Sequence, residues 1–287
     1  MLNLSRLLPI LLPLLLAACG SKSNDSASPT LQSDAPITDT ACVRLALMPT
    51  ADCLPFYYAQ RTGIYRQLGL KVNIRTYAGQ LDLDTALCGT SADAGYADAE
   101  RLAQPHMKRA PLRIAGTGTD SWQLYADGAL RMKDVKALNG RLVAIARESS
   151  ERAWLTQLVG SVGLRTEQVF TPFVNDVQLR AQMLANRQVD AAMLRWPYSV
   201  SAKTEGARLT ATQPTKASAA RFVTCSGKGS RISDSRLQLL RKGYAMALDS
   251  LRHASRSRLT PILQHDYALP APIADTINIP RGGFSFK

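Results

Sequence analysis

Histidine is almost missing from this chain: three occur in 287 residues, His106, His253 and His265, far apart and in no shared motif. They show no metal-ligand spacing and none is placed in a strand-end loop, which argues against an imidazole-based metal centre and against a histidine-activated nucleophile. The five cysteines form no C-x-x-C and no metal-ligand spacing, which argues against a zinc or dithiol redox site. No nucleophile elbow occurs. Aromatic residues make up only 6% of the chain, so any cluster of them is informative. Acidic residues are outnumbered, 22 against 35 basic, for a formal charge of +13. Much of the excess lies between Lys216 and Arg258, where ten Lys or Arg face only Asp234 and Asp249. Such a run reads first as a solvated helix face with loops. The sharper alternative is attraction to anionic lipid or to an acidic patch on a membrane partner.

The start of the chain is a basic stub ending in Arg6, an apolar run from Leu7 to Leu16, and then Leu16-Ala17-Ala18-Cys19. That is the layout of a signal peptide over 1–18, too short to span a bilayer as a mature helix. Its L-A-A-C ending resembles a bacterial lipobox, which implies lipidation at Cys19. Residues 19–41 are rich in Ser, Asp, Thr, Ala and Pro, and read as a disordered tether. Lipid plus tether would hold an extracytoplasmic domain beside a membrane. Export argues against nucleic acid as a partner despite the basic balance. In an oxidising compartment, Cys42, Cys53, Cys88 and Cys225 allow up to two disulfides in three pairings. A buried free thiol is the default for Cys88.

The organising stretch is 45–97. An apolar run from Val43 to Met48 ends at Pro49 and predicts a buried parallel strand. Pro55 suits the first turn of a helix that ends near Gly63. Leu70 to Ile74 predicts a second strand, Leu83 to Leu87 a helix stopped by Gly89, and Ala92 to Ala97 a third strand. The order β-α-β-α-β predicts a parallel sheet.

These residues carry a family likeness. D-x-x-P-x-x-x-A (Asp52, Pro55, Ala59), G-I-Y near G-L-x-V (Gly63, Gly69, Leu70, Val72), and A-L-x-G-x-x-A-D-A-G (Ala86 to Gly95) resemble the solute-binding proteins of ABC importers. Within them the chain most resembles the NMT1/THI5-like group, which includes sulfonate, nitrate and thiamine-precursor binders. The likeness runs from Val43 to about Leu209. Asp134 to Ser150 resembles D-L-K-G-K-x-V-A-V-x-x-G-S, with Glu148 where the family often has Gly. Met183 to Tyr198 resembles L-x-x-G-x-V-D-A-A-x-x-x-x-P-Y, with Asn186-Arg187 in place of the usual Gly. The resemblance implies an α/β, two-lobed, type II periplasmic binding protein-like fold with parallel-core sheets and two interlobe crossings. It also implies a small-molecule solute, an ABC permease and ATPase as partners, a periplasmic location and no enzymatic role. A monomer without cofactor or metal is expected.

The remaining pattern divides the chain into a first lobe over 42–117 plus 216–287 and a second over 118–215. Strands are predicted at Leu112 to Ala115, Trp122 to Tyr125, Val169 to Val174 and Arg221 to Cys225. Gly116 to Asp120 suits one crossing, and Ala207 to Thr215 is expected to carry the chain back. Asn175 and Gln178 have capping-box spacing. Ser233 is expected to cap a long helix, and two shorter helices are broken at Pro270 and Pro272. The Gly282-Gly283 tail carries no signal.

In open parallel sheets, ligands sit at the carboxyl ends of strands. Those ends supply the candidate ligand-binding residues: Asp52, Cys53, Leu54, Phe56, Tyr96, Thr117, Thr119, Trp122, Ser149, Ser150, Asn175, Asp176, Trp196 and Tyr198. Asp52 either holds free amides at the start of the Pro55 helix or accepts a proton from a ligand nitrogen. Ser149 or Ser150 caps a helix whose free N–H groups either serve the cap alone or hold a ligand oxygen. Trp196 is either core or cleft wall. The aromatic supply favours a small organic solute, thiamine-precursor-like or sulfonate-like, over an inorganic ion. The rival readings are an enzyme on the same fold and an exported ligand sensor.

Overall fold

The computed structural model describes residues 42–214, 216, 218–226, 230 and 232–287. The apolar start, Cys19 and the tether lie outside the described residues.

The chain enters at β1 (Val43–Leu47), buried except for half-buried Arg44. A 3-10 turn over Ala51–Cys53 leads into α1 (Leu54–Arg61), with Pro55 in its first turn, where a missing N–H costs no helical bond. Gly63, at φ 76°, adopts the left-handed conformation that separates α1 from α2 (Ile64–Gln67). Then follow β2 (Val72–Thr76), α3 (Gln80–Cys88), β3 (Ala94–Asp98), α4 (Ala99–Leu102), α5 (Pro105–Arg109) and β4 (Leu112–Thr117). β1 pairs in parallel with both β2 and β3, as the β-α-β-α-β order requires.

The chain then crosses to a second sheet. Its elements are β5 (Gln123–Ala126), β6 (Val143–Ala144), α6 (Ser150–Gly160), α7 (Val177–Ala185), β7 (Ala191–Leu194), α8 (Tyr198–Thr204) and β8 (Arg208–Thr212). It returns through β9 (Ala220–Cys225), α9 (Asp234–Leu251), α10 (Arg256–Asp266), α11 (Ala271–Thr276) and β10 (Ser285–Phe286). The first sheet has the order β10-β4-β9-β3-β1-β2 and the second β6-β7-β5-β8. Each has a parallel core, β2-β1-β3 and β6-β7, extended by antiparallel strands. The result is a two-lobed α/β fold of the periplasmic binding protein type.

Four local expectations need correction. Val169 to Val174 is not a strand; it touches the second sheet only through bridges of Phe170 to Leu142 and Phe173 to Ile145. Its backbone bonds to residues 141–145 run through Phe170, Pro172 and Val174, but Pro172 has no N–H to give, and Phe170 and Phe173 stay 57% and 41% exposed, so the pairing does not become a regular strand. Arg208 to Thr212, expected to cross back, is instead β8, antiparallel to β5. The return begins at buried Gln213, whose N–H donates to the Trp122 carbonyl at 2.8 Å and whose side-chain oxygen accepts from Trp122 N–H at 3.2 Å. The cap of α7 is Asp176, which accepts from Gln178 and Leu179 amides, and not Asn175. A carboxylate there also complements the helix dipole.

The fourth correction is the tail. Phe284 and Phe286 join Phe56, Phe222 and Tyr244 in a cluster with ring centroids 4.6–6.4 Å apart. The Phe284 amide donates to Tyr244 Oη at 2.7 Å, and Tyr244 donates to the Asp52 carbonyl at 2.8 Å. Through these two bonds, the last residues brace the loop after β1. The Ser233 hydroxyl caps α9, accepting from the Arg236 amide. Among the described residues Cys53, Cys88 and Cys225 are free thiols, and no helix is long and apolar enough to cross a membrane.

Candidate functional site

The carboxyl ends of β1 and β3 in one lobe face the ends of β5 and β7 in the other. Asp52 is fully buried in the loop after β1. Its carboxylate accepts from Thr119 N–H (3.0 and 3.1 Å), Thr119 Oγ1 (3.0 Å) and Asp120 N–H (2.8 Å). It therefore secures the first crossing, and its hydrogen-bond donors come from there and not from the amides of α1. Burial still outweighs these bonds and raises its pKa. A Cβ on Gly118 would lie 2.1 Å from the Asp52 carboxylate and 2.8 Å from Ala220 Cβ, so only glycine lets the crossing approach this closely.

From that crossing Asp120 turns into the junction. Its carboxylate is buried, lies 3.5 Å from the Arg195 guanidinium, and has no hydrogen bond to Oδ2. Burial pushes its pKa up to about 7; Arg195 opposes the rise and Asp52 adds to it. Arg195 follows β7 and is buried. It donates to Tyr96 Oη at 2.5 Å and to the Met48 thioether at 3.4 Å. Its guanidinium carbon stands 4.4 Å from the Trp122 ring centroid and 5.0 Å from that of Tyr96. Desolvated contacts of this kind are worth about 2 kcal/mol.

Trp122 continues the network, its indole N–H donating to Ser150 Oγ at 2.9 Å. The Ser150 hydroxyl donates to Asp98, and its amide reaches the same carboxylate at 3.3 Å. Asp98 also caps α4 through the Glu100 and Arg101 amides. The first amide of α6 thus meets a carboxylate of the other lobe, while Ser149 caps the helix from its own lobe by accepting from the Arg152 amide. Two buried ion pairs flank the cluster, Arg101 with Asp84 and Arg180 with Glu151. Pairing is what makes such burial tolerable, because an isolated charge there would cost several kcal/mol, roughly 3–5 on loss of one partner. Glu148, where glycine is usual in the resembling segment, has φ 49°, the left-handed conformation glycine favours.

The structure brings together Tyr96, Trp122, Ser150 and, through the first crossing, Asp52 and Thr119. Cys53, its thiol pushed to about 12 by burial, and Leu54 are buried beside Asp52. Phe56 belongs to the aromatic cluster of the first lobe, not to the junction. Thr117 is exposed at the end of β4. Asn175 is half-buried near Gly79, and Asp176 bridges to Gly79 at the rim of the junction. Trp196 is half-buried, donates to the Asn278 carbonyl at 3.0 Å and meets the Tyr267 ring edge-on at 5.4 Å. Tyr198 donates to the Tyr267 carbonyl at 3.2 Å. Both rings therefore seal lobe against lobe.

Arg195, Asp98 and Glu151 escape motif reading. The available signal was position alone: Arg195 closes the buried A-A-M-L run of β7, and Asp98 ends β3 two residues before Glu100. Two surface cavities of about 200 and 250 Å³ lie elsewhere, one lined by Asp127, Arg187, Glu205 and Arg208, the other by Arg113, Cys225 and Asp234. Neither includes a residue of the junction.

The folded chain is similar to the alkanesulfonate-binding protein SsuA of Xanthomonas axonopodis pv. citri, solved with MOPS, at TM-score 0.71 and 18% identity. That match covers 85% of this chain and 86% of the other. It is similar to the periplasmic aliphatic sulphonate binding protein SsuA of Escherichia coli at TM-score 0.68 and 16% identity, covering 85% of each. The periplasmic nitrate-binding protein NrtA of Synechocystis PCC 6803 matches at TM-score 0.68 and 13% identity, over 87% of this chain and 74% of that one. At such identities the likeness is one of fold. No curated protein matches the chain by sequence. The sequence model described as NMT1/THI5 like matches residues 50–226, more than half of the chain, which therefore belongs to the NMT1/THI5-like family.

Proposed function

We propose that the chain is the extracytoplasmic solute-binding component of an ABC importer, held at the membrane by a lipid on Cys19 and working as a monomer with a permease and an ATPase. Its lobes run over 42–117 plus 216–287 and over 118–215, and a small organic solute, thiamine-precursor-like or sulfonate-like, binds between them. It turns over no substrate. The observation that carries this reading is the meeting of Tyr96 from one lobe with Trp122, Ser150 and Arg195 from the other in one buried cluster at the strand ends. Ring faces and a few directed polar groups are what a small organic solute needs. The relatives named for alkanesulfonate and nitrate support the class of function.

Closure of the lobes by solute follows if bound contacts exist only in the closed form. Small-angle scattering should give a smaller radius of gyration on saturation with the solute, and an unchanged profile at saturation contradicts the clamp. Cys19→Ala should abolish lipid labelling and release a soluble form. Membrane association that survives the substitution contradicts the anchor.

A further inference from the structure

The junction carries a charge pattern that bears on the solute itself. Five buried carboxylates, Asp52, Asp84, Asp98, Asp120 and Glu151, stand among three buried guanidiniums, Arg101, Arg180 and Arg195. Asp52 and Asp98 are met by N–H and hydroxyl donors, Asp84 by Arg101, and Glu151 by Arg180. Asp120 has the Ser121 amide and, as its one cationic neighbour in an ion pair, Arg195 at 3.5 Å, and its Oδ2 has no hydrogen bond. Arg195 in turn donates to a phenol and a thioether, both weaker acceptors than a carboxylate.

Arg195 and Trp122 adjoin strands β7 and β5 of the second sheet, whereas Tyr96 lies in β3 of the first and Met48 directly follows its β1. Parting of the lobes would break both hydrogen bonds of Arg195, whose guanidinium stands against Asp120 and the rings of Trp122 and Tyr96. An anion binding Arg195 there would strip Asp120 of its partner, and an unpaired buried carboxylate is strongly unfavourable. A flat nitrogen cation restores the ion pair, gives Oδ2 its missing donor and lies on the same ring faces as the guanidinium.

Resting on the solute-binding reading above, we propose that the solute is a small planar nitrogen cation of the guanidinium, amidinium or protonated amino-heterocycle class, which takes the seat of the Arg195 side chain against Asp120, Trp122 and Tyr96. The arginine is then a resident occupant that the solute displaces, and it holds the seat closed between solutes.

Calorimetric titration at pH 8 of methylguanidinium and benzamidinium, with methanesulfonate and nitrate as anionic controls, tests this on the wild-type chain, Asp120→Asn and Arg195→Met. The cations should bind the wild type saturably and lose binding in Asp120→Asn. Arg195→Met, which removes the competing occupant, should bind them roughly tenfold more tightly or better. Should Arg195→Met fail to fold, the wild-type titrations decide. Saturable binding of the anions with none of the cations overturns the charge assignment while leaving solute binding intact. Binding of neither class to the wild type also overturns it, and neutral solutes then test the broader reading separately.

Discussion

Arg195, just after β7, donates to the hydroxyl of Tyr96, within β3, at 2.5 Å, so a single buried bond joins the strand ends of the two sheets. Around it the Asp98–Ser150 contact and the Trp196–Asn278 and Tyr198–Tyr267 bonds make the same crossing. The junction is thus a polar network with aromatic walls. Each member depends on the others for its partners, because a buried polar group left unpaired is costly.

Tyr96→Phe removes the hydroxyl and leaves an Arg195 N–H without its acceptor. The ring stays, so packing is preserved and the effect reads the hydrogen bond. Urea denaturation should show a loss of about 1–3 kcal/mol, the usual cost of an orphaned buried donor. A variant as stable as the wild type would show that the lobes do not rely on this contact.

Asp120 makes stability depend on pH in a stated direction. Its folded pKa, about 7, lies above the ordinary 3.8, so the folded chain holds this proton where the unfolded chain has released it. The contribution is greatest below the unfolded value, falls as pH rises between roughly 4 and 7, and is flat above. Asp52, Asp98 and Glu151 are also raised by burial, so the comparison is with Asp120→Asn, which keeps them. The stability of the wild type relative to Asp120→Asn should decline across that interval in urea titrations. A difference independent of pH contradicts the assignment.

Phe284 tests the tail. Its ring lies 5.7–6.4 Å from those of Phe56, Tyr96, Phe222, Tyr244 and Phe286. Phe284→Ala should cost about 3–5 kcal/mol, as removal of a buried phenylalanine does, and thermal melting measures it. A loss below 1 kcal/mol would mean the tail merely rests on the first lobe.

That tail also marks the limit of what was legible in the chain. β1, β3 and β7 are short apolar runs ended by proline, polar residues or a helix cap, and burial on both faces writes them plainly into the sequence. Ser233 and Gly63 announce a helix start and a turn through local chemistry. Phe284 and Phe286 have no such local pattern, since their role comes from partners more than 200 residues away at Phe56. β8 reads as a loop because its residues are exposed or half-buried, leaving no apolar alternation to detect. At the junction, Trp122 and Tyr96 are visible as rare aromatics at strand ends. Arg195 and Asp98 are not, because common charged residues reveal a site only when the fold buries them together.

The central claim is that the chain binds a small organic solute against Trp122 at the junction. Its most direct test is isothermal titration of the purified chain and of Trp122→Ala with a panel of cationic, neutral and anionic organic solutes. The expected result is one-to-one saturable binding of one class, weakened in Trp122→Ala by about 1–3 kcal/mol, the scale of burying a large side chain, with the variant still folded by circular dichroism. Absence of saturable binding across the panel, or equal affinity in the wild type and Trp122→Ala, contradicts the account.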